Sequence, residues 1–253
     1  VADTLSPVAS IPRRLIGPIG TGDAVAGRFN VGPEVSPDGR QVAFFSERDR
    51  FSIDLYLADA VTGRIERRLV KSATDPHFDS LEFVNSAGTW SPDNRTLAIS
   101  AVRGGRPVLA LIDTRSGKIT RELSLPGLDD AFNPAFAPDG QSLVVSGNVG
   151  GLIDLYRYAM PTGQIERLTS DPYADLEATF SPDGRTIVFV TERFTTNPET
   201  LTPGALRLAT LELATRTVRP LVGFLRGKHL SPQVSADGLD VTFVADPDGI
   251  SNL

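Results

Sequence analysis

The sequence predicts an all-β protein, a β-propeller built from four-stranded antiparallel blades. Three observations predict it: one turn phrase returns five times, a short apolar run follows each copy, and a second hairpin follows most of those runs. The phrase reads Ser36-Pro37-Asp38-Gly39, Ser91-Pro92-Asp93-Asn94, Ala137-Pro138-Asp139-Gly140, Ser181-Pro182-Asp183-Gly184 and Ser235-Ala236-Asp237-Gly238. Proline presets φ at the second turn position, aspartate bonds back to its own backbone, and glycine or asparagine accepts a positive φ. This is the chemistry of a hairpin turn.

The runs after the turns are Val42–Phe45, Leu97–Ile99, Leu143–Val145, Ile187–Val190 and Val241–Val244. Short, β-rich and apolar throughout, they suit a strand covered on both faces. One residue before each turn stands Val35, Trp90, Phe136, Phe180 or Val234, expected to be buried between successive blades. Third strands are read at Ile53–Leu57, Val108–Ile112 and Ile153–Tyr158, closed by Thr62-Gly63, Ser116-Gly117 and Thr162-Gly163. Outer strands follow at Arg64–Val70, Lys118–Ser124 and Gln164–Thr169. The fourth copy runs Leu206–Leu211 and Thr217–Val222 without the glycine.

Turn-to-turn spacings of 55, 46, 44 and 54 residues fit one blade per repeat. A single blade cannot bury both of its faces, so neighbours must stack, and radial stacking gives a propeller. A solenoid keeps a shorter, stricter period, and a sandwich does not repeat one turn phrase five times. The expected organisation is a linker or outer closing strand over 1–28 and a propeller over 29–253. Its repeats lie near 29–75, 76–128, 129–172, 173–228 and an incomplete 229–253. Residues Arg13-Arg14-Leu15-Ile16 read as an outer strand that closes a five-bladed ring. The preferred alternative is a fragment of a larger propeller, and opening on Val1 rather than Met fits a processed or excised chain.

The S-P-D-G turn, the apolar strand after it, and then Asp54-Leu55-Tyr56 or Asp154-Leu155-Tyr156 with Thr-Gly together resemble the TolB-like propeller repeat of bacterial periplasmic proteins. The resemblance covers about 29–253 and implies a ring of six blades in the intact protein. Stretches such as Ser86–Trp90 and Asp248–Leu253 resemble large secreted bacterial proteins in which such a propeller follows a zinc-peptidase-like domain. The resemblance implies a periplasmic or secreted setting and two functional classes: a protein-binding module, or a propeller that gates substrate for a peptidase.

Composition narrows the partners. The net charge of −6 argues against nucleic acid, since phosphate binding needs a positive field. No apolar run approaches the roughly 18–20 residues that cross a bilayer as a helix. With no cysteine there are neither disulfides nor thiolate metal sites. His77 and His229 are the only histidines, both read as loop residues, and neither lies in H-E-x-x-H; a G-x-S-x-G elbow is absent too. Gly20-Thr21-Gly22 reads as linker and Asp246-Pro247-Asp248-Gly249 as a hairpin turn rather than a calcium loop. The expectation is therefore no catalytic residue, no metal and no cofactor.

Propellers bind at the channel mouth, where loops joining blades and second-to-third-strand loops gather. The candidate ligand-binding residues in those loops are Arg48, Arg103, Arg193, Asp130, Asp175 and His229. Arg48, Arg103 and Arg193 follow the second strand by similar offsets, which places them at one end of the ring. There they would form a positive site for a carboxylate or acidic peptide. The expected partner is a protein or peptide.

Overall fold

The computed structural model describes residues 30–47, 52–71, 79–81, 88–200, 202–221, 223 and 226–247, and every regular element among them is a β-strand. The first sheet orders β1 (Asn30–Val35), β2 (Gln41–Ser46), β3 (Asp54–Asp59) and β4 (Ile65–Val70) side by side, all antiparallel. In the second, β5 (Ser80–Leu81) and β6 (Thr89–Trp90) both pair with β7 (Thr96–Arg103), followed by β8 (Arg106–Asp113) and β9 (Lys118–Ser124). The third holds β10 (Asp130–Phe136), β11 (Ser142–Val149), β12 (Leu152–Ala159) and β13 (Ile165–Arg167). The fourth holds β14 (Asp175–Phe180), β15 (Thr186–Thr191), β16 (Arg207–Glu212) and β17 (Thr217–Pro220). A last described pair joins β18 (His229–Val234) to β19 (Val241–Ala245). These are propeller blades.

The chain divides into two compact units, with the boundary between Pro134 and Ala135, inside β10. In the first unit, Phe45, Leu55 and Leu57 pack with Trp90, Leu97, Ile99 and Ile112 in one core. In the second, Leu155 and Val144 meet Phe180, Ile187, Phe189 and Leu211. Each core thus draws on neighbouring sheets, as stacked blades require.

The turn phrase does more than bend the chain. In four copies the serine hydroxyl donates to the aspartate: Ser36 to Asp38 at 2.7 Å, and Ser91, Ser181 and Ser235 to Asp93, Asp183 and Asp237 at 2.6 Å. The same hydroxyl accepts the amide five residues on, from Gln41, Thr96, Thr186 and Asp240, at 2.9–3.0 Å. The aspartate in turn accepts the amide two residues on, at 3.1 Å in all four. The serine hydrogen bond holds Asp38, Asp93, Asp183 and Asp237 below the usual carboxylate range. The third copy has Ala137 in place of serine, and only Asp139 accepting from the Gln141 amide at 2.8 Å remains of the clasp.

Turns of adjacent blades touch. The Asp38 amide donates to the Asn94 side chain at 2.9 Å. A Cβ added to Gly184 would lie 3.7 Å from Pro138, and one on Gly238 would lie 3.4 Å from Pro182. Farther back, the first strands share a bulge. Pairing shifts between Val31 and Glu34, Leu176 and Thr179, and Leu230 and Gln233. Four residues before the Ser36, Ala137, Ser181 and Ser235 that open four of the turns, the backbone is left-handed: φ is 57° at Gly32, 50° at Asn133, 51° at Glu177 and 49° at Ser231. Across the last two of these bulges, the Ser231 amide donates to the Glu177 carboxylate.

Buried aspartates brace the outer strands. Asp54 accepts from Arg68 at 3.3 Å, and Asp154 accepts from Arg167 Nε at 3.2 Å. Both belong to the Asp-Leu-Tyr copies, so the acid that looked like part of a strand pattern ties β3 to β4 and β12 to β13.

The five residues ahead of the turns are less uniform than expected. Trp90 is 4% exposed and donates its indole N–H to the Glu34 carbonyl at 3.0 Å, and Phe180 is buried; Phe136 and Val234 are half-buried. Val35 departs from the expectation at 54% exposed, because no sheet precedes the first one among the described residues of its unit. Residues 1–28, including Arg13–Ile16, and residues 248–253 lie outside the described residues.

Trp90→Ala removes a buried indole and its hydrogen bond, and is expected to cost about 3–5 kcal/mol in urea unfolding. Ala137→Ser restores the missing hydroxyl beside Asp139 and is expected to gain about 0.5–1.5 kcal/mol in the same measurement. A loss of stability would show that the third turn differs from its siblings.

Candidate functional site

Each sheet has two unlike ends. One carries the Ser-Pro-Asp-Gly turn before the second strand; the other carries the connection from second to third strand. At that far end, Arg103 closes β7 opposite Arg106, and Arg193 follows β15. Arg103 lies in the first unit and pairs with Glu122 of β9. Asp130, also in the first unit, opens β10 half-buried and accepts the Ala131 amide at 2.8 Å. Arg48 and His77 fall outside the described residues.

The second unit brings two of the expected residues together. Arg193, with its side chain 17% exposed, donates to Asp171 and, at 3.1 Å, to Asp175 Oδ2. The Arg193 amide donates to Thr191 Oγ1 at 3.3 Å, which fixes the start of the loop. Asp175 is fully buried as the first residue of β14, so it is not the exposed loop acid that the sequence suggested. Burial pushes its carboxyl up to about 6, against the opposing pull of hydroxyl hydrogen bonds from Thr191 and Thr169 and of the Arg193 charge. Asp171 adds a smaller upward push.

His229 also departs from the loop reading. It is buried as the first residue of β18, its amide donates to the Leu206 carbonyl at 3.0 Å, and its ring centroid lies 4.9 Å from that of Phe243. A Cβ on Gly223 would fall 2.3 Å from its Cε1, so a glycine is needed there. The imidazole is a packing group of the fifth blade.

What sequence reading missed is the loop between β15 and β16. The corresponding connections in the second and third sheets are two-residue turns, Gly104-Gly105 and Gly150-Gly151. The described residues of 192–200 and 202–206 form a long excursion braced from inside. Thr195 Oγ1 donates to the Ala205 carbonyl at 2.7 Å, Thr196 Oγ1 donates to Glu192 at 2.8 Å and accepts the Gly204 amide at 2.9 Å, and Asn197 bridges Thr202. The excursion leaves Phe194 42% exposed. Val149 and Leu152, flanking the Gly150-Gly151 turn, are exposed at the same end of the neighbouring sheet. The fourth repeat's longer spacing was the signal available in the sequence.

Among the described residues, no group of three or more histidine, aspartate or glutamate side chains could hold a metal ion. No described helix is long and apolar enough to cross a membrane.

Residues 78–198 match the TolB β-propeller domain. A TolB homolog of Chlorobium chlorochromatii is 35% identical across 41% of this chain and 22% of that protein. A Bacillus subtilis protein described as the uncharacterized peptidase YuxL is 24% identical across 62% of this chain and 28% of its own length. The chain thus spans less than a third of either relative. The crystal structure of TolB from Acinetobacter baumannii superposes with a TM-score of 0.68 at 22% identity, over 88% of this chain and 50% of that one, which shows the shared fold.

Asp175 gives the site a pH signature. Its folded value of about 6 exceeds the ordinary 3.8, so the folded protein holds more protons between those values. Its contribution therefore becomes less favourable as pH rises through that window, and stays unfavourable above it. Asp175→Asn is expected to flatten the fall in stability between about pH 4 and 6, read from urea midpoints.

Proposed function

We propose that this chain, whose propeller is TolB-like, is a non-catalytic binding module of the bacterial envelope that engages a protein or peptide. The observation that carries the reading is the far end of the second unit. Val149, Leu152 and Phe194 are exposed there on the connections of adjacent sheets, and Phe194 rides on a loop whose inner hydrogen bonds hold it out. Exposed apolar side chains gathered at one end, beside charged groups, suit a protein surface better than a small polar substrate. Arg193 and Asp171 supply the polar border, though the arginine is already engaged by Asp171 and by the buried Asp175. An acidic ligand group would have to compete with those two carboxylates. The TolB-like repeats support the periplasmic or secreted setting.

A second reading rests on the relative described as a peptidase: the propeller would be an accessory domain that gates substrate for a catalytic domain elsewhere in a longer protein. Both readings put the working surface at the same end. They part on whether removing the propeller from the full-length protein changes peptide cleavage.

Leu152→Asp with Phe194→Asp is expected to reduce capture of the partner from an envelope extract at least tenfold while leaving the urea midpoint nearly unchanged. Leu239→Asp, which alters the most exposed leucine of the fifth blade's turn instead, is the control and is expected to leave capture intact. Equal loss in both would remove the assignment to the far end.

A further inference from the structure

The opposite end of the first unit holds a second site. Between the first two sheets, on the side of the Ser-Pro-Asp-Gly turns, lies an open cleft of about 750 Å³. Four arginines line it: Arg40 from the first turn, Arg67 from β4, Arg95 from the second turn and Arg115 from the turn between β8 and β9. All four are exposed. We propose that this cleft binds a small ligand carrying two or more oxyanion groups, phosphate or carboxylate, gripped by Arg67, Arg95 and Arg115.

The acids of the cleft equal the arginines in number, so bulk charge does not make the case. What differs is how far each group is already committed. Asp38 and Asp93 accept from their turn serines and from the amides two residues on. Asp59 takes the Val61 and Thr62 amides and the Thr62 hydroxyl at 2.7–3.0 Å. Glu66 takes the Gln41 side-chain amide at 2.7 Å. These bonds hold the three aspartates below the usual carboxylate range and at the walls of the cleft. The arginines are much less committed. Arg40 reaches Asp38 only at 3.9 Å, and among the described residues no ion pair within 4.0 Å engages Arg67, Arg95 or Arg115. The guanidinium donors are the groups left to meet a ligand, and their forked geometry suits phosphate and carboxylate oxygens.

One contact positions the grip. Gly117 has φ +72°, and a Cβ built there would come within 3.4 Å of Arg67 Cδ. The stem of Arg67 therefore lies against the second sheet's turn, two residues from Arg115, and its head is carried across the cleft from β4. The corresponding cleft of the second unit supplies an internal contrast. It measures about 390 Å³, is lined by Pro138, Phe180, Pro182 and Leu213, and has one arginine, Arg157, already paired with Glu166 at 2.5 Å. Equivalent architecture thus carries a cleft with four arginines in one unit and a smaller one, whose single arginine is already paired, in the other.

The test is calorimetric titration of the full chain with pyrophosphate and, separately, citrate, at low ionic strength. Binding of either or both is expected, and which one binds assigns the oxyanion. Arg67→Ala with Arg115→Ala should weaken that binding at least tenfold, while Arg157→Ala in the other cleft should leave it unchanged; urea midpoints establish that all variants are folded. Failure of both probes to bind, or binding that survives the double substitution, or equal loss with Arg157→Ala, would overturn the proposal.

Discussion

The structure depends on a clasp at the head of four of the five blades. A serine hydroxyl gives its proton to the aspartate two residues on and takes the amide five residues on, so one small side chain closes the turn from both sides. That hydroxyl satisfies the amide that opens the second strand, while the backbone bonds across the turn are kept even in the third copy, where alanine replaces the serine. The hydroxyl is also what draws the carboxyls of four of the five turn aspartates below their ordinary range. Neighbouring turns rest on each other, Pro138 under Gly184 and Pro182 under Gly238, so fixing one turn helps place the next.

A fixed turn end lets the rest vary. The left-handed residue that recurs at Gly32, Asn133, Glu177 and Ser231 suits glycine and asparagine, but at Glu177 and Ser231 it carries a local cost the surrounding sheet must outweigh. The far ends of the sheets, released from the clasp, differ most: two-residue glycine turns in the second and third blades, and a braced excursion carrying Phe194 in the fourth. The proposed binding end uses the second-to-third-strand connections of the second unit and the arginine cleft uses the turn side of the first, and each uses what the repeat leaves unspecified.

Most of the architecture was legible because it repeats. Five copies of one phrase revealed the turns, and the strand runs followed from their spacing. The same repetition hid some things. Serine looked like turn filler beside proline and glycine, yet it makes two of the clasp's three hydrogen bonds. Asp54 and Asp154 looked like ordinary strand residues, yet they are buried partners of Arg68 and Arg167. The site was less legible still, because burial is a tertiary property. Asp175 and His229 looked like exposed polar loop residues, but each begins a first strand and is covered by packing. Arg193 carried a sequence signal of charge and none of its engagement with two acids, and the arginine cleft joins residues far apart in sequence, such as Arg40 and Arg115.

Amide hydrogen exchange measured residue by residue tests the clasp most directly. The amides of Gln41, Thr96, Thr186 and Asp240 should be strongly protected, since each donates to a turn serine. The amide of Ser142, with Ala137 in place of the turn serine, should exchange markedly faster than all four. Equal protection at all five positions would contradict the account, because it would mean that the serine hydroxyl contributes nothing to how the blades are closed.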